Sequence, residues 1–365
     1  MIRRIRVLVV DDSAFARVVI SREISSDPEV EVVGTAVDGV DAVEKIKSIR
    51  PDVVTLDIEM PRMDGISTLK KVMAECPIPV IVLSRLTTED AETTIHALEA
   101  GAIDFVPKSP LASSGRISLP AGSLIEKIKL ASKIDVRRLA QAAPRKKPRE
   151  ANGDYPKHDF WRMRGRSRPQ NVVVIGSSTG GPKALCDLIP DLPGDIPAAL
   201  LIVQHMPAGF TGSLAKRLDQ LARIRVKEAE SGDSIRSGQA LVAPGGLHLV
   251  IGSGDTATLT GSVPPRHGLR PAVDVTMESA AGVYGSNCIG VVLTGMGCDG
   301  RDGAATISRA GGRVIVQDEA SSVIYGMPRS VVESGRADRV VPLSEISRQI
   351  VEMCTEPAGL QRKTW

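Results

Sequence analysis

Aromatic residues are almost missing from this chain: two Trp, three Tyr and four Phe make up 2% of 365 residues. The cores must therefore be built from Val, Ile, Leu and Ala, which suits parallel sheets covered on both faces. Long apolar runs are missing too, and nothing approaches the roughly 18 apolar residues that a membrane-crossing helix needs. The basic start Met1-Ile2-Arg3-Arg4-Ile5-Arg6 is followed only by Val7 to Val10 before Asp11-Asp12. That run is too short for the apolar segment of a secretion signal. Five cysteines (Cys76, Cys186, Cys288, Cys298, Cys354) are an odd number without metal-ligand spacing. They read as reduced thiols of a cytoplasmic protein. Charge of one sign is also in short supply, the net value being +3. Lys and Arg number 16 against 20 Asp and Glu over residues 1–132, 12 against 4 over 133–170, and 18 against 19 over 171–365. The basic excess thus belongs to one short segment, which argues against a nucleic-acid-binding domain.

What is present is a repeated alternation of strand and helix patterns. Ile5–Val10 is a β-branched run, with Ser13 as an N-cap for the amphipathic stretch behind it. Strands are expected at Val30–Val37, Asp52–Leu56, Ile78–Leu83 and Ala102–Val106, with helices at Val40–Ile49, from Gly65, and at Thr88–Leu98. Five such units predict a doubly wound parallel sheet. A helix over about Leu124–Gln141 leads into Ala143–Pro169, a proline-bearing basic stretch read as a linker. From Asn171 the alternation resumes. Strands are expected at Val172–Ile175, Ala198–Val203, Ile289–Thr294 and Arg313–Gln317, with helices at Pro182–Leu188, Gly212–Ala222, Gly303–Ala310 and Ser344–Cys354 around a β-rich middle. The fold class is α/β with two parallel-sheet domains. The expected divisions are 1–132, a linker over 133–170, and 171–365.

In such sheets function collects beyond the carboxyl ends of the strands. In the first half those ends carry Asp11 and Asp12, Asp57, Ser84 and Lys108. Three converging carboxylates call for a divalent cation, and oxygen-only ligands favour Mg²⁺. The Ser84 hydroxyl and the Lys108 ammonium are then placed to hold a phosphoryl group built on Asp57. These residues, in Val-Val-Asp11-Asp12-Ser, Leu-Asp57-Ile-Glu-Met-Pro61, Asp64-Gly65, Val-Leu-Ser84 and Asp104-Phe105-Val-Pro107-Lys108, make residues 1 to about 130 resemble the receiver domain of two-component response regulators. The resemblance implies a flavodoxin-like fold and phosphorylation of Asp57 by a histidine kinase. It implies Mg²⁺ bound by Asp12 and Asp57 with Asp11 assisting and the Glu59 carbonyl as a further ligand, and Phe105 as an aromatic that changes rotamer on activation.

In the second half, Val172–Ile175 runs into Gly176-Ser177-Ser178-Thr179-Gly180-Gly181 and then a helix, a G-x-S-x-G turn that exposes Ser178 at a helix N-terminus. A Gly/Ser-rich turn of this kind also serves as a phosphate cradle, so the motif needs partners. Five histidines are available as a base. His96 and His158 lie elsewhere, and His248 has a strand pattern. His205 follows the next strand and is favoured, with His267 also open. Asp299, in the glycine-laced turn after Ile289–Leu293, is the favoured orienting acid, with Asp302 and Asp274 as rivals. The order Ser…His…Asp differs from that of α/β-hydrolases, and a triad is recognised by geometry rather than order.

About residues 171 to 355 resemble the catalytic domain of the chemotaxis response regulators that are protein-glutamate methylesterases. The motifs that carry this are Ile-Gly-Ser-Ser178-Thr179-Gly-Gly, Gln204-His205-Met206-Pro207, Ala243-Pro-Gly-Gly-Leu-His, Arg270-Pro-Ala-Val-Asp274-Val and Leu-Thr-Gly-Met296-Gly-Cys-Asp299-Gly. The resemblance implies a Rossmann-like domain and an oxyanion hole from the amides of Thr179 and Met296. The expected activity is hydrolysis of glutamate methyl esters on chemoreceptor helices, with glutamine deamidation as a second activity and no cofactor for either. The expected partners are methylated chemoreceptors and a chemotaxis histidine kinase, the chain acting as a monomer without membrane insertion. A DNA-binding response regulator is the rival reading, and no helix-turn-helix pattern follows the basic segment to support it.

Overall fold

The computed structural model describes residues 3–110, 117–118, 123–136 and 169–355. The chain divides into two compact units, Met1–Pro144 and Arg145–Trp365.

The first unit is a sheet flanked by helices: β1 (Ile5–Val10), α1 (Ala14–Ile24), β2 (Val30–Ala36), α2 (Gly39–Ile49), β3 (Val53–Asp57), α3 (Gly65–Glu75), β4 (Val80–Arg85), α4 (Thr88–Glu99), β5 (Asp104–Pro110), β6 (Ile117–Ser118) and α5 (Ser123–Ala131). Strand order is β2-β1-β3-β4-β5-β6, parallel from β2 to β5, with the two-residue β6 antiparallel at the edge. All of β3 is buried, and Val7, Leu8, Val9 and Val10 of β1 are fully enclosed. Burying each such side chain contributes about 1.5–3 kcal/mol. Side-chain caps start the helices: Ser13, Asp38, Asp64 and Thr87 each accept an amide of the first turn. The direction of the chain reverses between β1 and β3, so Asp11, Asp12 and Asp57 meet in the crevice where ligands of such sheets sit. The helix expected over Leu124–Gln141 is shorter than its pattern: after Leu124, Ile128 and Ala131 are buried, α5 ends and a turn at Ser132-Lys133 follows. Its expected end past residue 136 and most of the expected linker lie outside the described residues.

The second unit contains β7 (Asn171–Ser177), α6 (Gly181–Leu188), β8 (Ala198–Gln204), α7 (Phe210–Leu221), β9 (Arg225–Glu228), β10 (Gln239–Val242), β11 (His248–Gly252), β12 (Thr256–Thr260), α8 (Val273–Tyr284), β13 (Cys288–Val292), α9 (Arg301–Arg309), β14 (Arg313–Gln317), α10 (Met327–Glu333), β15 (Arg339–Val341) and α11 (Leu343–Thr355). Seven strands run in parallel in the order β15-β14-β13-β7-β8-β10-β9, and β11 and β12 form a separate hairpin. The two central strands β7 and β8 are buried at every position. From β7 the chain winds one way to β9 and β10, then returns to β13 on the other side. The turns after β7 and β13 therefore face one another across the switch in direction. Helices α6, α7 and α9 begin without a side-chain cap, at Gly180, Gly209 and Gly300 in the left-handed region (φ 79°, 90° and 94°).

Helix α8 was not expected. It buries Asp274 and Thr276 as well as Val273, Met277, Ala280 and Ala281, so its sequence carries no polar stripe of helical period to betray it.

Candidate functional sites

In the first unit, strand register brings the predicted residues to one edge. Asp57 ends β3 opposite Leu83, Ser84 follows one step on in β4, and β5 places Lys108 beside Arg85. Lys108 Nζ bridges Asp11 Oδ2 at 2.7 Å and Asp57 Oδ2 at 2.8 Å, nearly out of solvent. The Asp57 Oδ1 atom accepts the Ile58 amide at 2.8 Å. Burial raises the Asp57 carboxyl to about 6, with Lys108 pulling it down and Asp11 pushing it up. Carboxylate oxygens of Asp11, Asp12 and Asp57 lie within 4.8 Å of one another. An all-oxygen set of this size, with charge that two bonds cannot satisfy, fits a hard cation such as Mg²⁺. An open cleft beside it is lined by Asp12, Glu59, Met60, Pro61 and Arg85. The Glu59 side chain pairs with Arg85, which leaves its carbonyl as the group available for the expected role.

Ser84 and Phe105 are the remaining residues of the set expected to respond to phosphorylation. Ser84 Oγ accepts from Thr94 Oγ1 at 2.6 Å and donates to the carbonyls of Arg85 and Asp90 at 3.2 and 3.4 Å. Phe105 is buried, and Lys127 Nζ stands 5.4 Å from its ring centre while donating to the Phe105 carbonyl. Thr94 was not singled out from sequence, because a threonine within a helix gives no sign of what it faces.

In the second unit, Ser177 pairs with Gln204 at the ends of β7 and β8, and the His205 amide donates to the Ser177 carbonyl at 3.0 Å. The ladder ends there, and Ser178 and His205 are the next residues along the two chain segments. His205 Nε2 lies 2.8 Å from Asp299 Oδ2, with both side chains buried. Asp299 also accepts the amides of Val273 (2.7 Å), Asp274 (2.9 Å) and Gly300 (3.0 Å). Burial alone would raise this carboxyl, but His205 and these amides outweigh it and hold Asp299 below the usual carboxylate value. The first turn of α8 is therefore an anion cradle for Asp299.

The turn after β13 approaches Ser178 closely. The Ser178 amide donates to the Thr294 carbonyl at 3.0 Å, so it is spent on the scaffold. Thr294 Oγ1 ties the two turns by donating to the Thr179 carbonyl at 3.0 Å. A Cβ at Gly295 would stand 2.3 Å from Met327 Sδ and 2.8 Å from Ser178 Cβ, so only glycine lets the turn close. The Gly295 amide and carbonyl are both bonded, whereas the Met296 amide donates to no acceptor among the described residues. Gln204, at the end of an otherwise apolar strand, joins the same frame. Its Oε1 accepts from Ser177 Oγ at 2.7 Å, and its Nε2 donates to the Ser178 carbonyl at 2.9 Å. A lone buried glutamine beside the favoured base was the signal that could have found it.

The rivals take separate places. Asp274 serves His267, whose Nε2 is 3.1 Å from Asp274 Oδ2, while Asp274 Oδ1 accepts the amides of Gly300 and Gly303. Burial, and secondarily the nearness of Asp299, raises the Asp274 carboxyl. Asp302 pairs with Arg266 and Arg301. His248 is buried, takes the Ala272 amide on Nδ1, and is lowered by burial. The second unit thus holds two His–Asp pairs back to back, and of the two histidines it is His205 that directly follows β8, the strand paired with the one leading to Ser178.

Comparison with known proteins agrees with both halves. Residues 173–350 match the family model of the CheB methylesterase and residues 7–113 that of the response regulator receiver domain. A protein-glutamate methylesterase/protein-glutamine glutaminase of Symbiobacterium thermophilum is 48% identical over 360 residues, 97% of this chain and 98% of its own. That of Pyrococcus abyssi is 46% identical over 361 residues, 96% of this chain and 93% of its own. The crystal structure of the Thermotoga maritima CheB methylesterase catalytic domain is 45% identical, with a TM-score of 0.49, covering 50% of this chain and 98% of that one. No described helix is long and apolar enough to cross a membrane. With identity of this size sustained across both units, the chain belongs to the protein-glutamate methylesterase/protein-glutamine glutaminase family, a response regulator receiver followed by a methylesterase domain.

Proposed function

We propose that this chain removes methyl groups from glutamate side chains on the cytoplasmic helices of chemoreceptors and deamidates particular receptor glutamines, under control of phosphorylation at Asp57. The observation that carries the catalytic reading is the 2.8 Å contact between the buried side chains of His205 and Asp299, through Nε2 and Oδ2.

Ser178 Oγ attacks the ester carbonyl and forms the tetrahedral adduct. Because Asp299 accepts from Nε2, the lone pair of His205 is on Nδ1, the atom that takes the serine proton. Amides of Thr179 and Met296 hold the oxyanion, and in comparable sites one such donor is worth about 2.7–4 kcal/mol. The His205 proton passes to the departing methoxide, giving methanol. Water, deprotonated by His205, then cleaves the acyl-serine to leave the glutamate carboxylate. A glutamine substrate forms the same acyl-serine with loss of ammonia. The whole cycle uses only side chains and amides of this chain.

Control begins at the acidic crevice. Asp12 and Asp57, with Asp11 and the Glu59 carbonyl, are the groups that would hold Mg²⁺, which when bound offsets the negative charge of the phosphoryl group. Lys108, already on Asp57 Oδ2, steadies the incoming phosphoryl oxygens. Ser84 turns from the Arg85 and Asp90 carbonyls to join them, and Phe105 changes rotamer in response. The phosphodonor is a chemotaxis histidine kinase, the working division is 1–132, 133–170 and 171–365, and the protein acts as a cytoplasmic monomer.

The test is methanol release from methylated receptor together with ammonia release from its glutamines. Ser178→Ala should lose at least about a thousandfold in both. Equal activity in wild type and Ser178→Ala would overturn the mechanism.

A further inference from the structure

The back-to-back arrangement leaves one His–Asp pair without a part in ester hydrolysis, and that pair faces a thiol. His267 Nδ1 lies 4.0 Å from Cys298 Sγ, and its Nε2 lies 3.1 Å from Asp274 Oδ2. Donors surround the Asp274 carboxylate: Oδ1 takes two backbone amides and Arg266 Nε stands 3.6 Å from Oδ2. A carboxylate in that setting accepts from Nε2–H of His267, which leaves the Nδ1 lone pair facing the thiol. We propose that Cys298 is a peroxide-reactive thiol, activated by His267 and Asp274 in a Cys–His–Asp set beside the proposed ester site.

The other four cysteines supply the contrast. Cys186, Cys288 and Cys354 are buried, and burial pushes the Cys288 and Cys354 thiols up to about 12. Cys76, partly exposed, is also raised by burial. Cys298 is partly exposed and has the His267 imidazole at 4.0 Å. Its carbonyl accepts the first amide of α9, a nine-residue helix, so the residue sits beside that helix's N-terminus. Arg301 adds a guanidinium, which Asp302 first and Cys298 in addition hold in its charged form. Imidazole, helix terminus and guanidinium are the three features that make a cysteine a nucleophile.

The reaction balances with hydrogen peroxide as the oxidant. The thiol proton moves to His267 Nδ1, and sulfur attacks one peroxide oxygen. An S–O bond forms as the O–O bond breaks, and the departing hydroxide takes the proton from His267 to become water. Sulfur gives up two electrons and the peroxide gains them, leaving a sulfenic acid on Cys298. The new oxygen stands in the turn that also carries Met296 and Asp299, so oxidation disturbs the oxyanion amide and the orienting acid together. This second consequence rests on the ester-hydrolysis reading, while the reactivity of the thiol does not.

The experiment treats the full chain with limiting hydrogen peroxide, traps sulfenic acid with a cyclic dione, and reads all five cysteines by peptide mass spectrometry. Cys298 should be labelled at least about tenfold faster than Cys76. His267→Asn, chosen because asparagine tolerates the left-handed backbone that His267 adopts (φ 54°), should bring Cys298 down to the rate of Cys76 with the melting temperature retained. Labelling of Cys298 no faster than Cys76, or unchanged in a folded His267→Asn, overturns the proposal. Methanol release is followed in parallel. Peroxide should inhibit the wild type reversibly with a thiol reductant and leave Cys298→Ser active. Labelling without inhibition would overturn the proposed effect on hydrolysis. A wild type that never releases methanol would instead sink the ester reading, with the labelling still deciding the fate of the thiol.

Discussion

Two buried aspartates, each at a strand end of a parallel sheet, are pushed in opposite directions. Asp57 is raised to about 6 and Asp299 is lowered. Both suffer burial as the largest single influence, so the difference lies in what surrounds them. Asp57 has one amide and one lysine, and it shares that lysine with Asp11. Asp299 has three amides, that of Gly300 shared with Asp274, and an imidazole to itself. A carboxylate left short of donors is a site prepared to gain something, on the proposed reading a cation and a phosphoryl group. One that is fully supplied is a fixed part of a machine. The helix starts repeat the contrast. The N-cap side chains of α1 to α4 hold first-turn amides themselves, whereas left-handed glycines without side chains open α6, α7 and α9.

Several substitutions would break or sharpen that contrast. The largest effect after loss of Ser178 itself is expected for Asp299→Asn. With the asparagine oxygen kept toward the amides of Asp274 and Gly300, its NH2 takes the place of Oδ2, so the Val273 amide loses its acceptor and the imidazole loses its tautomer. Methanol release should fall about 10³- to 10⁴-fold with KM nearly unchanged. A loss below tenfold would remove Asp299 from the role assigned to it. Gly295→Ala should come next, because its Cβ would meet Ser178 Cβ and Met327 Sδ. A shift of the serine by a few tenths of an ångström should cost about tenfold in kcat or more. Retained kcat would show that the turn is looser than its contacts imply.

The smallest effect, on stability, belongs to Asp57→Asn. A carboxyl raised in the folded state favours folding most below its unfolded value, near 3.8, and that contribution is lost as pH rises through about 6. With a chelator present, the asparagine variant should therefore be more stable than wild type at pH 8 by about 2 kcal/mol. The gap should close below pH 4. Hydrogen exchange of the β3 amides reads this unit separately. Equal protection at pH 8 would mean that Lys108 already satisfies Asp57. Added Mg²⁺ should narrow the gap by stabilising only the wild type.

The two regions also differ in how much could be read from sequence. In the first unit the strand runs end at the residues that matter, so Asp11, Asp12, Asp57, Ser84 and Lys108 could be placed by counting strands. In the second, Ser178 and His205 follow consecutive central strands and were legible in the same way. What holds Asp299 was not. Two of its three amide donors come from α8, 25 and 26 residues earlier in the chain, in a helix whose buried faces lack a polar stripe. The insertion of β10 between β8 and β9 is likewise a choice of long-range pairing that no local pattern records. The favoured acid is named by its position in a turn, and what separates it from Asp274 is tertiary: Asp299 meets His205, whereas Asp274 meets His267.

The claim that joins the two regions is that the donor-poor aspartate governs the donor-rich site. The direct measurement is the rate of methanol release from methylated receptor by the full chain, with and without a small phosphodonor, in wild type and Asp57→Asn. The account predicts that the donor with Mg²⁺ raises the wild-type rate and leaves Asp57→Asn at its basal rate. An equal rise in both proteins would contradict it.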